Sequence, residues 1–293
     1  MIPAYFLQPG IKDPWSLYAD MLAKDPVHYD DNNRCWAIYS YSACKFFLEH
    51  NAVAIPAVPP DALGQFSLLI KNKLARLNNG ASHGIARHVN RLLMANRDEV
   101  STSSIMDRLL IYAGNPSQLD WVESISKKLP ALILLESFGF YDDDACYVLE
   151  RMDRLTRIML PADADSILLN NTCEEVYLAI RRKILISRWF KKVVNELSSA
   201  YQLTEDETLE YISSNLAGLL IQSHDAGRGL ISNTLLSVLT IPGILKKIST
   251  EDDWRSIATE TMRFNGPVHI TRRIAAEDIT FGNSVIKKDA LII

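Results

Sequence analysis

Glu260-Thr261-Met262-Arg263-Phe264-Asn265-Gly266-Pro267-Val268-His269-Ile270-Thr271-Arg272-Arg273 passes from a helix into extended chain. Glu260 and Arg263 stand at i,i+3, a spacing that puts carboxylate and guanidinium on one helix face within reach of each other. On spacing alone the pair reads either as a structural fixture or as a solvated surface pair. Gly266-Pro267 ends the helix, because proline lacks the N–H a helix needs and turns the preceding residue away from helical angles. Val268 to Ile293 then reads as short strands around turns such as Phe281-Gly282-Asn283-Ser284.

Upstream the pattern is helical almost throughout. Apolar residues at three- and four-residue spacing predict segments near 62–77, 83–96, 101–113, 119–139, 142–159, 172–200, 205–239 and 251–264. The first sixty residues differ. Asp13 as N-cap and Pro14 in the first turn start a helix over 14–24. Val27-His28-Tyr29 and Cys35-Trp36-Ala37-Ile38-Tyr39 then flank Asp30-Asp31-Asn32-Asn33-Arg34 as an antiparallel hairpin, and a helix near 41–50 follows. The expected fold class is mainly α with small β-sheets. No linker divides the chain, so 1–293 is expected as one domain: a helix-plus-hairpin lobe over 1–60, a helical body over 62–264, and strands over 266–293.

Composition narrows the function classes. Of 293 residues 48% are hydrophobic and 23% charged, enough apolar material for a sizeable core. The net charge of -4 is spread over mixed segments and offers no basic field for a phosphate backbone, so nucleic acid is not an expected partner. Met1 to Leu7 lacks a basic stretch followed by an apolar region, and no apolar run approaches the roughly 20 residues of a bilayer span. A cytoplasmic protein without a membrane anchor is expected. Cys35, Cys44, Cys146 and Cys173 are scattered with no C-x-x-C pair, which fits a reducing compartment and no structural zinc site.

Two further constellations carry chemistry. His83-x-x-x-Arg87 aims two potential cations the same way and suits an anionic group, unless Arg87, His88 and Arg91 are simply exposed on a solvated face. The segment 205–239 would run about 50 Å at 1.5 Å per residue, so it must cross the core. Within it lies Gln222-Ser223-His224-Asp225-Ala226-Gly227-Arg228-Gly229. An acid among leucines needs a hydrogen bond or a function, or else points to a water-filled edge. Gly227 and Gly229 weaken the helix by about 1 kcal/mol each and point to a bend or the close approach of another group. No H-E-x-x-H or P-loop motif occurs, and Gly80-Ala81-Ser82-His83-Gly84 matches G-x-S-x-G only in letters, because it follows a helical segment rather than the strand a nucleophile elbow needs. Hydrolase, zinc protease and P-loop readings therefore lack their chemistry.

In order and spacing, these features resemble the cytochrome P450 (haem-thiolate monooxygenase) superfamily of the bacterial soluble type, over nearly the whole chain. Asp13-Pro14-Trp15-Ser16-Leu17-Tyr18, Asp25-Pro26-Val27-His28-Tyr29 and Trp36-Ala37-Ile38-Tyr39-Ser40-Tyr41 are similar to its opening helix and hairpin. The stretch after Arg263 is similar to the segment that follows the family's Glu-x-x-Arg helix. The resemblance implies the P450 fold and a haem (heme) cofactor whose propionates are held by His83, Arg87 and Arg273. It makes Glu260 and Arg263 the structural pair, and it places Asp225 near bound oxygen with Ala226 at the position of the family's threonine. Leu219, Gln222, Val268 and Ile270 would line the substrate pocket. The implied reaction is oxidation of a small apolar organic molecule by oxygen, with electrons from a ferredoxin- or flavodoxin-type donor.

The sequence departs from the family at two points. Ala226 has no hydroxyl, so a proton for oxygen activation would come from a water, Asp225 or the substrate. No cysteine follows Cys173, so the axial thiolate is missing, no metal ligand is found in this chain, and the fold is expected to be C-terminally incomplete. The terminal apolar run Lys288-Asp289-Ala290-Leu291-Ile292-Ile293 reads as a strand that needs a partner and further chain. One reading is therefore a truncated monooxygenase. The other is a haem-free accessory or binding protein on the same scaffold.

Overall fold

The structure, a computed structural model, describes residues 13–57, 64–114, 117–159 and 166–293. Met1 to Leu7 and the start of the helix expected over 62–77 lie outside them. The chain divides into two compact units: one takes the chain up to Ala57 together with His269–Ile293, the other Val58–Val268.

The smaller unit joins the two ends of the sequence. It holds α1 (Pro14–Lys24), β1 (Val27–Asp30), β2 (Cys35–Ile38), α2 (Tyr41–Glu49) and β3 (Val53–Ala54), then β4 (Arg273–Ala275), β5 (Ile279–Phe281), β6 (Ser284–Ile286) and β7 (Leu291–Ile292). The Asp13 carboxylate accepts from the Trp15 and Ser16 amides, which starts α1 where the sequence places it. Buried Asp30 accepts from the amides of Asn32 and Asn33 and from the Asn33 side chain, and this closes the β1–β2 turn. The sheet runs β1-β2-β7-β4-β3, and β5 pairs with β6 in a separate hairpin. The terminal strand thus finds its partners inside the chain, parallel to β2 and antiparallel to β4. Ala43, Phe47, Ala275, Ile279, Ile286 and Ile292 form the core of this unit.

The larger unit is helical: α3 (Gln65–Lys73), α4 (Gly80–Asn96), α5 (Thr102–Tyr112), α6 (Leu129–Ser137), α7 (Asp142–Leu149), α8 (Met152–Leu155), α9 (Ser166–Leu185), α10 (Phe190–Tyr201), α11 (Glu205–Gln222), α12 (Arg228–Thr240) and α13 (Glu251–Phe264). Helix α11 is buried on nearly every side and packs against α3, α4, α9 and α10, so the long segment does cross the core. The capping box of Thr204 and Glu207 fixes its start. Between Gln222 and Arg228 the helix widens into one π turn, Ser223–Gly227, before α12 continues it. The helix expected over 172–200 is two helices. The Ser187 hydroxyl donates to the Lys183 carbonyl near the end of α9, and Trp189, packed edge-on against Phe138, starts α10.

Candidate functional site

The π turn carries the polar cluster singled out in the sequence, and its glycines explain its position. A Cβ on Gly227 would lie 2.7 Å from Cβ of Pro130 on α6, and one on Gly229 would lie 2.5 Å from Cβ of Pro267. Two prolines therefore press against the helix where only glycine leaves room. A π turn inserts one extra residue per turn and re-aims the side chains it carries.

The re-aiming reverses the expected burial. Asp225 does not sit among leucines: its carboxylate is half exposed and accepts from Arg228 at 3.3 Å, one turn on. The buried member of the cluster is His224, at 3% exposure. Its Nε2 lies 3.1 Å from a carboxylate oxygen of Asp153, on α8, and Nδ1 has no partner among the described residues. This hydrogen bond, with Lys127 3.7 Å from the same carboxylate, holds Asp153 below the usual carboxylate range. The partnership of His224 with Asp153 was not legible from sequence, because the two belong to helices far apart in the chain. Ala226 is half-buried beside Asp225. Gln222 is exposed and bonds back to the Gly218 carbonyl at 3.1 Å, whereas Leu219 packs on the main core.

Helix α4 gathers the second set. The His83 Nδ1 lies 2.7 Å from the Ala75 carbonyl, and a carbonyl only accepts, so Nδ1 carries the proton. That bond orients the ring and leaves Nε2 for another group. Arg87, one turn further along the same face, is exposed and forms no ion pair among the described residues. Arg87 and Arg91 are exposed on this face, whereas the His88 ring bridges to the Tyr201 hydroxyl at 3.1 Å and to Glu196 at 3.2 Å on α10. Arg273, in the smaller unit, is half-buried and donates to the Thr271 hydroxyl and the Arg272 carbonyl, both at 2.7 Å.

Glu260 and Arg263 do pair, through two hydrogen bonds of 2.6 and 2.7 Å, on the exposed side of α13. The guanidinium beside it lowers the Glu260 carboxyl from its usual range. Val268, which ends the larger unit, is 52% exposed, and Ile270 in the smaller unit is half-buried.

The cysteines give a different answer. Cys35 on β2 and Cys173 on α9 are buried, and burial pushes both thiols up to about 11. Burial also raises Cys44. Only Cys146, on α7, is exposed. Among the described residues, no three His, Cys, Asp or Glu side chains converge as a metal site. The residues of α4 fit an anionic edge such as a pair of carboxylates, whereas none of the three raised thiols suits a thiolate ligand.

Comparison with known proteins places this architecture. No protein-family model matches the chain. Over 96% of its length it is 24% identical to the putative cytochrome P450 YjiB of Bacillus subtilis (strain 168), and it spans 72% of that protein. Cytochrome P450 109 of Bacillus spizizenii is 21% identical over the same share of the chain, which spans 70% of it. Among solved structures, P450BioI in complex with acyl carrier protein ligated to hexadec-9Z-enoic acid superposes with a TM-score of 0.77 at 18% identity, covering 96% of this chain and 76% of that one. The chain has the cytochrome P450 fold. The mainly α body with small β-sheets expected from the sequence is the architecture of that fold. No described helix is long and apolar enough to cross a membrane.

Proposed function

We propose that this protein is a P450-type haem monooxygenase that oxidises a small apolar organic molecule, with electrons delivered by a ferredoxin- or flavodoxin-type partner. One observation carries the reading: in a chain with the P450 fold, α4 presents at i,i+4 a ring-oriented His83 and an exposed Arg87 that has no ion pair among the described residues. Such a face suits carboxylates, and arginine binds them through its planar fork. Haem, when bound, supplies dioxygen binding and reduction. His83 and Arg87 would hold its propionates, and resemblance alone adds Arg273. Asp225 and Ala226 would lie on the oxygen side. Ala226 cannot donate, so the carboxyl of Asp225, once released from Arg228, is the protein group able to pass a proton. The pocket residues Leu219, Gln222, Val268 and Ile270 rest on the same resemblance, as does Glu260–Arg263 as a structural pair.

A second reading is a haem-free accessory or binding protein on this scaffold. Two observations favour it: the missing hydroxyl at Ala226, and buried thiols at Cys35 and Cys173 that resist becoming thiolates. The deciding experiment is the absorption spectrum of the native gene's product, supplied with haem and reduced with and without carbon monoxide, alongside its mass. Under the first reading the protein takes up haem and shows the shifted band of a thiolate-ligated iron, and His83→Ala with Arg87→Ala retains less haem. A colourless protein that takes up no haem leaves only the accessory role.

A further inference from the structure

Beside His224 of the π turn, the larger unit contains a cavity of about 490 Å³ walled by α5, α6, α7, α8 and the segment leading into α6. That volume falls in the range that takes small organic ligands. Its floor is apolar: Ile105 and Leu109 from α5, Leu132 from α6, and Ala145 and Leu149 from α7. Its rim is ionic and mostly self-paired. Arg108 pairs with the buried Glu136, while Lys127 pairs with Glu123 at 2.6 Å and lies 3.7 Å from Asp153. Lys128, Asp142 and Glu150 complete the charged lining, five carboxylates against three lysine and arginine side chains, with His224 on Asp153 and Arg151 4.0 Å from Glu150. Two tyrosines, Tyr112 and Tyr141, stand at the mouth and are 81% and 52% exposed.

We infer that this cavity is a ligand site that takes a small organic amine with an apolar body, lined by residues other than those proposed to hold haem. The floor removes a hydrocarbon or aryl group from water, at roughly 25 cal/mol for each Å² of apolar surface buried. The surplus of carboxylates makes the mouth attractive to positive charge. Tyrosine faces add to that preference, because a cation above an aromatic ring is drawn by its quadrupole. A carboxylic acid of the same size would meet the same floor but the wrong field. A neutral alcohol would gain the floor alone.

The test is equilibrium dialysis of the full 293-residue chain against phenethylamine, 2-phenylethanol and 3-phenylpropionate at moderate salt. The amine is expected to bind at least tenfold more tightly than the alcohol, with the carboxylate weakest. Asp142→Asn combined with Glu150→Gln, both exposed and outside the core, is expected to weaken the amine at least fivefold and leave the alcohol unchanged. Cys146 also lines the cavity and is exposed, so a bulky maleimide on it should abolish binding, whereas Cys146→Ser should bind normally. Equal binding of the three probes, no binding of any, tighter binding of the carboxylate, or indifference to the maleimide would overturn the assignment. A primary amine can also coordinate haem iron, so the Asp142/Glu150 variant and the maleimide arm decide the site: neither touches a residue proposed to hold haem, and amine binding that resists both would place the amine elsewhere.

Discussion

At Gly227 and Gly229 the absence of a side chain is a packing requirement, and the contrast with Gly84 makes this measurable. Gly227→Ala forces its new methyl against the Pro130 ring, and Gly229→Ala forces it against Pro267. Alanine is the better helix former, yet overpacking at a rigid neighbour costs about 1–3 kcal/mol, so both variants should lose stability in urea denaturation. At Gly84, within α4, nothing lies within 4 Å of an added Cβ, and the same substitution should gain up to about 1 kcal/mol. Asp153 allows a second test. Its carboxyl is held below its unfolded value chiefly by the His224 hydrogen bond, so the stability it contributes is present above the unfolded pKa and is lost as pH falls through the lower folded one. The advantage of the wild type over Asp153→Asn should therefore be full at neutral pH and shrink below about pH 4, as followed by denaturation at a series of pH values.

Helix termini are where the sequence is most legible, because the signals that set them are local. Asp13, Pro14 and Asp25 bracket α1, and the expected 14–24 is the observed Pro14–Lys24. Thr204 and Thr250 start α11 and α13 through capping boxes. Thr204→Ala should cost about 1 kcal/mol by removing the hydroxyl that accepts from the Glu207 amide, whereas Thr204→Ser should retain most of it. Thermal denaturation of the two variants separates the cap from a general sensitivity at this position. Interruptions inside the long helical runs were harder to read. Gly227 and Gly229 did point to a bend or a close approach, and both are found, but the neighbours that approach, Pro130 and Pro267, lie outside any window around residue 225, as Phe138 does for Trp189 at the break between α9 and α10. The site inherits the same limit. The spacing of His83 and Arg87 was visible in the sequence, but the outward turn of Asp225 and the burial of His224 were set by partners on other helices.

At the scale of the whole chain, the two units draw their cores from separate stretches of sequence. The larger core lies within residues 70–221, and the smaller one combines Ala43, Phe47 and Ala52 with Ala275, Ile279, Ile286 and Ile292. Strand β7 could be recognised from its apolar residues, but its place could not, since strand pairing across the length of a chain leaves no local mark. It lies in the middle of the sheet, where the Ile293 amide donates to the Trp36 carbonyl at 2.8 Å, the Ile38 amide donates to the Ile293 carbonyl at 2.9 Å, and Ile292 is buried at 3% exposure. A chain ending at Ala290 would lose both sets of ladder bonds and expose the inner edges of β2 and β4. Unpaired edges of this kind invite association, and amides without partners exchange rapidly. Hydrogen exchange on the shortened chain should therefore show protection lost at Ile38, whose amide donates to the Ile293 carbonyl, and at Arg273, which pairs with Ile292. The amides that face β1 and the Ala275 amide on Ala290 keep their partners, and α11 stays protected because its core contains no residue of the smaller unit. Retained protection at Ile38 would show that the sheet closes without its central strand, and loss in α11 as well would show that the two units fold as one.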